Sequence, residues 1–268
     1  MTEVASTFRK LHFSSRPLIL PNAWDAGSAV LFESQGAKAI ATTSAGISWS
    51  LGYADGRKLP IGELAGAVGR IVGAVKVPVS VDIENGYAHD AQSVAENVMR
   101  LVYKGIQGIN IEDGTDSPGI LSRKIGAIRD AAARAGVDLF INVRSDVFLE
   151  PLVDDVNLVR ESIRRGTFYA EAGADGLFLP GIVLDADIKE VATAVALPLN
   201  VMAWPGLSGI HDLAELGVRR LSAGAALSQA SWATAERLSE AFLRTGQSDP
   251  FFEPNVSSGV LQRLFSTK

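Results

Sequence analysis

The feature that most constrains this chain is a rhythm. Short apolar runs alternate with amphipathic stretches at intervals of roughly 25 to 35 residues, the spacing of repeated βα units. Eight runs read as strands: "PLILPNAWD" (17–25), "AKAIATTSAG" (37–46), "VPVSVDIENG" (77–86), "IQGINIEDG" (106–114), "DLFINVRSD" (138–146), "ADGLFLPG" (174–181), "LPLNVMAWPG" (197–206) and "VRRLSAG" (218–224). Helical stretches lie between them, such as 90–105 and 154–173. In the second, Val156, Val159, Ile163 and Ala170 recur at helical spacing, Asp154 stands at the start and Gly173 at the end. Asp90 caps the first in the same way.

Eight such units in about 250 residues imply an α/β fold of the (β/α)8 TIM-barrel type, with an open doubly wound sheet as the structural alternative. The 268 residues then divide into a barrel catalytic domain (1–246), closed by a helix over 225–246, and a C-terminal tail (247–268). Phe251, Phe252, Val260, Leu261, Leu264 and Phe265 of that tail need burial. A barrel already ringed by helices has little room for them, so the tail is expected to pack on a second subunit.

Polar residues gather where the strands end. Those ends carry Asn22, Trp24 and Asp25; Thr42, Thr43 and Ser44; Asp82 and Glu84; Asn110, Glu112 and Asp113; Asn142, Arg144 and Asp146; Asn200; and Ser222. Interior strand positions read as nearly all aliphatic, so the chemistry belongs at one rim, as in barrels generally. In "VPVSVDIENGY" (77–87), Asp82 and Glu84 stand two apart and are expected on one face of the strand. Glu112, at the end of the next strand, would join them. Three carboxylates without Cys or His suit a hard divalent ion, Mg²⁺ or Mn²⁺. Arg144 can grip a substrate carboxylate bidentately or form an ion pair with Asp146 or Glu112. "TTSAG" offers hydroxyls and amides, with Gly46 allowing close approach to the main chain, and Asp55 lies in the loop that follows. His12, His89 and His211 make no metal spacing and read as packing or surface residues.

Composition excludes several classes. There is no cysteine, hence no disulfide or thiolate chemistry. With 25 basic and 30 acidic residues and no basic run, nothing provides the footprint of nucleic-acid binding. No apolar stretch reaches the ~20 residues of a membrane span, and the N-terminus has no secretory pattern, so a cytoplasmic location is expected.

In order and spacing, "NAWDAGSA", "ATTSAG", "VDIENGY", "NIEDG" and "NVRSD" resemble the isocitrate lyase and phosphoenolpyruvate mutase superfamily over about residues 17–225. The resemblance implies a (β/α)8 barrel whose terminal helix is exchanged between subunits of a homodimer or homotetramer. It also implies Mg²⁺, with Asp82 as direct ligand and Glu84 and Glu112 binding metal-bound waters. Thr43, Ser44, Ala45 and Gly46 would hold the carboxylate end of a 2-oxo acid, Trp24 would wall the pocket, Asp55 would contact the metal-water shell or the reacting group, and Arg144 would grip the oxo-acid oxygens. Two departures stand out. Glu84 occupies a position usually aspartate, and "TDSPGILSRKIG" (115–126) has neither the cysteine and histidine of isocitrate-type lyases nor the mutase's lysine-asparagine signature.

The implied activity is a Mg²⁺-dependent carbon-carbon lyase or decarboxylase acting on a small 2-oxo or 2-hydroxy polycarboxylate through a stabilised enolate. Ser122, Arg123, Lys124 and Tyr87 are candidate proton donors. Alternatives are a mutase or hydrolase cleaving a carbon-phosphorus bond, and a metabolite-binding barrel without catalysis.

Overall fold

The computed structural model describes residues 3–252 and 255–266. Nine parallel strand segments form one sheet in the order β1-β9-β8-β7-β6-β5-β4-β3-β2. They are β1 (Leu18–Leu20), β2 (Asn22–Ala23), β3 (Ile40–Thr42), β4 (Val79–Asp82), β5 (Gly108–Glu112), β6 (Phe140–Arg144), β7 (Gly176–Leu179), β8 (Leu199–Met202) and β9 (Val218–Ser222). The first two are halves of a single barrel strand broken at Pro21, which has no N–H to give a ladder. β1 pairs with β9 through Leu18↔Arg220 and Leu20↔Ser222, while β2 pairs with β3 through Asn22↔Ala41. The barrel therefore closes through the Pro21 break, and the eight-unit expectation holds with one strand in two pieces.

The helices between strands bury apolar stripes against the sheet. In Ala91–Val102, Asp90 Oδ1 accepts the Ser93 amide at 2.8 Å, and Val94, Ala95, Val98, Met99, Leu101 and Val102 are buried. The expected 154–173 helix is a 3-10 turn, Asp155–Asn157, followed by Leu158–Glu171. Asp154 makes no side-chain cap, and Val156, expected on the buried face, is 91% exposed because it lies in that turn. A helix the periodicity did not single out, Glu3–Leu11, plugs the N-terminal end of the barrel. Its Phe8 is buried with Leu18, Leu20, Ala39, Ala41 and Phe140, and Arg9 bridges Asp138 and Asp175.

The barrel interior corrects the aliphatic expectation. Asn142 Nδ2 donates to Asn110 Oδ1 (2.9 Å) and to Asn200 Oδ1 (3.0 Å), and Asn200 Nδ2 reaches Ser222 Oγ (3.2 Å). All four residues are buried, so a polar ladder crosses the interior below the rim.

The closing helix, Ala226–Thr245, does not cover the barrel. Of its 20 residues only Ser228 is buried. Ile19, in the middle of β1, is left 45% exposed. It opens into an apolar groove of about 840 Å³ shared with Leu31, Phe32, Leu221 and Leu227, on the seam between the first and last strands. The tail's short helix, Ser258–Phe265, touches helix Ala26–Ser34 of its own chain but leaves Val260, Leu261 and Phe265 about 40% exposed or more.

Candidate active site

The C-terminal ends of β3 to β6 bring the predicted acids and Arg144 together. Asp82 ends β4 and is held at both oxygens. Ser44 Oγ donates to its Oδ2 at 2.9 Å, and the Ser44 amide adds a longer bond at 3.3 Å. The Glu84 amide donates to Oδ1 at 3.3 Å.

Glu84 does not share a strand face with Asp82, because β4 has already ended. It sits in a left-handed turn at φ 48°, as does Tyr87 at φ 57°. The turn still directs Glu84 toward the acids. The Tyr87 hydroxyl donates to Glu84 Oε1 at 2.8 Å, and the Glu84 carbonyl accepts the Glu112 amide at 2.9 Å, tying the two acidic segments together.

Arg144 makes both ion pairs open to it, with Nη1 3.0 Å from Glu112 Oε2 and Nε 2.6 Å from Asp146 Oδ1. Burial opposes its charge, but Glu112, Asp146 and Asp82 more than offset that and hold it cationic. Glu112 feels the opposite balance. Burial, with Asp82, Asp146 and Glu84 nearby, pushes its carboxyl up to about 8 against the opposing pull of Arg144. Glu84 is raised as well, by burial, then by Asp82 and Asp55, against the Tyr87 hydrogen bond.

Several expected roles change. Thr43 Oγ1 accepts the Gly46 amide (3.3 Å) and so caps the helix Ser44–Ser50. A Cβ on Gly46 would lie 2.6 Å from Thr43 Cγ2 and 2.9 Å from Trp24 Cβ. Protein atoms, not an approaching ligand, therefore require glycine there. Ala45 is buried in the first turn of that helix, and Trp24 is half-buried against Phe32. Asp55 lies exposed, its charge felt by Glu84 and Tyr87. Asp113 is structural, accepting from Ser145 Oγ, Arg165 Nη1 and Tyr169 OH within 2.8 Å. Ser122, Arg123 and Lys124 lie inside the helix Pro118–Arg134, which starts right after the five-residue connection 113–117. Lys124 is buried, with Nζ donating to the Asn85 carbonyl at 2.9 Å.

One charged residue was not anticipated. Arg220, on β9, is 1% exposed and points into the barrel, where Nη2 donates to Asn110 Oδ1 at 3.1 Å. Its Nε and Nη1 have no hydrogen-bond partner. Burial pulls its pKa down to about 9, with Asp82 opposing, so it remains a cation beneath the acid cluster.

The donor set fits a hard divalent ion, since it is all oxygen and the acids crowd one another. Among the described residues no three acidic or histidine side chains converge as direct ligands. That arrangement suits an ion that takes one or two protein oxygens and keeps its waters.

A parallel barrel with acids, a partly buried arginine and a hydroxyl at its C-terminal rim is of the TIM-barrel class. Residues 8–243 match the phosphoenolpyruvate phosphomutase family, and the chain belongs to it, within the isocitrate lyase and phosphoenolpyruvate mutase superfamily. It is 35% identical over 223 residues to the uncharacterized protein Rv1998c of Mycobacterium tuberculosis, covering 81% of each chain. It is 33% identical over 180 residues to an oxaloacetate decarboxylase of Rhodopseudomonas palustris, covering 63% of this chain and 60% of that one. Among solved structures, a lyase or mutase of unassigned activity from Burkholderia cenocepacia superposes with a TM-score of 0.90 at 33% identity, over 98% of this chain and 95% of the other. Among the described residues no helix is long and apolar enough to cross a membrane.

Proposed function

We propose that the protein is a divalent-metal-dependent carbon-carbon lyase or decarboxylase of a small 2-oxo or 2-hydroxy polycarboxylate. The observation that carries this reading is the meeting of Asp82, Glu84 and Glu112 with Arg144 and Ser44 at one barrel mouth. Asp82 would hold the ion directly and Glu84 and Glu112 through water. When bound, the ion supplies positive charge for the oxo-acid oxygens as negative charge builds on them. Arg144 supplies a second, fixed charge whose position is set by Glu112 and Asp146. By the family resemblance Thr43, Ser44, Ala45 and Gly46 would lie at the carboxylate end of the substrate, with Trp24 behind them and Asp55 toward the metal-water shell; of these Ser44 already meets Asp82, while Thr43 and Gly46 are engaged in the cap of helix Ser44–Ser50.

In decarboxylation of an oxaloacetate-like substrate the C3–C4 bond breaks, CO₂ leaves, and its electron pair passes to C3 and the 2-oxo oxygen. A proton must then be delivered to C3. The absence of cysteine and histidine from 115–126 removes the usual donor of isocitrate-type lyases. Water admitted to the barrel mouth would supply that proton. The oxaloacetate decarboxylase relative supports the reading. The family match to a phosphomutase keeps carbon-phosphorus chemistry as the second reading.

The test is incubation with Mg²⁺ and oxaloacetate, substituted malates, methylisocitrate and phosphonopyruvate, with and without EDTA. Metal-dependent release of pyruvate or CO₂ is expected, reduced about a hundredfold or more in Asp82→Ala. Phosphate release would install the second reading. No turnover together with no Mg²⁺-dependent oxalate binding would leave a non-catalytic barrel.

We also propose that a second copy of the chain covers the groove around Ile19, supported by the exposed strand face and the unburied helix Ala226–Thr245.

A further inference from the structure

Backbone strain in this chain is concentrated at one place. Among the described residues three that are not glycine have a left-handed backbone, Arg57 (φ 66°), Glu84 (φ 48°) and Tyr87 (φ 57°). Bulky side chains rarely adopt that region, and where they do the surrounding structure imposes it. All three meet at one group, the Glu84 carboxylate. The Tyr87 hydroxyl donates to its Oε1 at 2.8 Å, and the Arg57 amide comes near enough to favour its charge. Glu84 itself is 4% exposed.

The turn that carries Glu84 is held from outside at three successive carbonyls, each by a different element. The Glu84 carbonyl accepts the Glu112 amide of β5 at 2.9 Å. The Asn85 carbonyl accepts Lys124 Nζ from helix Pro118–Arg134 at 2.9 Å, and the Gly86 carbonyl accepts Asn97 Nδ2 from helix Ala91–Val102 at 3.1 Å. The Gly86 amide closes the turn on the Ile83 carbonyl at 2.8 Å. Gly86 (φ 96°) is required there, since a Cβ would stand 2.5 Å from Val94 Cγ1. The backbone of 83–86 is thus fixed without the Tyr87 hydroxyl. What those bonds leave undetermined is the long Glu84 side chain, which Asp82 repels and would turn outward. The hydroxyl acts on that side chain and on nothing else in the turn.

We propose that Tyr87 is a positioning residue: its hydroxyl holds the Glu84 carboxylate among the acids, so that Glu84 meets the water shell of the divalent ion in one orientation. The role at the ion rests on the metal-dependent reading given above. Partners one step removed from a metal shell orient its ligands, and their loss typically weakens metal affinity by about 10–100-fold. Glu84 acts through water in that reading, so the lower end of the range applies.

The experiment titrates Mn²⁺ calorimetrically into the full chain, into Tyr87→Phe, into Glu84→Ala and into the double variant. Tyr87→Phe keeps the ring and removes only the hydroxyl; matched circular dichroism and Tm verify the fold. Tyr87→Phe should weaken Mn²⁺ binding about tenfold, yet in the Glu84→Ala background the same change should alter affinity by less than about twofold, because the group it orients has gone. In oxaloacetate turnover the half-saturating Mg²⁺ concentration should rise about tenfold in Tyr87→Phe, with kcat at saturating Mg²⁺ kept within about threefold. Equal Mn²⁺ affinity in wild type and Tyr87→Phe would overturn the assignment. So would a loss of the same size with Glu84 already removed, or a fall in kcat that saturating Mg²⁺ does not restore, since either would make the hydroxyl merely structural. A wild type that binds no Mn²⁺ would overturn it together with the metal-dependent reading. Mn²⁺ binding without turnover of any substrate tried would remove the lyase reading alone, and the affinity cycle would still decide the role of Tyr87.

Discussion

At the residue scale, the unexpected member of the site is Arg220. A buried guanidinium with two unpartnered nitrogens has given up hydration with little local return, and such a charge is retained at a cost. Its compensation is the field of Asp82 above it. Through an effective dielectric of ~20, a unit charge roughly 10 Å from another contributes on the order of 1–2 kcal/mol. Arg220→Met should thus weaken oxalate binding about tenfold while leaving urea-unfolding stability within about 1 kcal/mol or raising it. A large stability loss with unchanged oxalate affinity would make the arginine purely structural. Asp82, Glu84, Glu112 and Arg144 were legible in sequence because each closes an apolar run, and strand ends are where barrels place chemistry. Arg220 was not, since "VRRLS" offers two arginines and only the register decides which faces inward. That register shifts between Leu199 and Asn200 on the neighbouring strand, and a one-residue shift exchanges the faces.

At the element scale, strand order and most helices followed from periodicity, but the N-terminal plug did not. Helix Glu3–Leu11 is short, and what fixes it is tertiary: Phe8 under the barrel, and His12 just beyond, stacked on Phe140 at 4.0 Å. His12 is buried, Nδ1 lies 3.0 Å from the Phe8 carbonyl, and Nε2 has no partner. Burial, with Arg220 next, lowers its pKa to about 3. The unfolded chain takes up a proton at this residue below pH ~6.5 while the folded protein stays neutral down to about 3. More protons on the unfolded side mean that stability falls with falling pH across that window, by about 1.4 kcal/mol per pH unit from this group. Above pH ~6.5 the group contributes no slope. His12→Phe should flatten urea-unfolding free energy between pH 4 and 6 by that amount. An unchanged slope would mean that the plug opens and His12 titrates in water.

At the scale of the whole molecule, the groove on the closing seam is the least satisfied part of the fold. A TIM barrel normally covers each strand pair with a helix; here the helix after β9 leaves, and Ile19 and Leu221 face an open apolar trough. The sequence located the helix, because its length and composition are those of a helix, and it signalled a surplus of apolar residues in the tail. Whether that helix would turn back onto its own barrel is a matter of the three-residue connection 223–225, which carries no legible rule. If a second copy fills the trough, Ile19→Arg places a charge in the middle of a buried contact without disturbing the barrel interior, since Ile19 faces outward. The variant should run at a smaller mass than the wild type in light scattering coupled to sizing, with the far-UV spectrum unchanged. Removal of residues 247–268 should reduce the assembly too, or make the chain insoluble, if the tail contributes to the same contact. A wild type that is already monomeric, or an Ile19→Arg protein of unaltered mass, would mean that the trough is open to solvent or covered by something other than this chain.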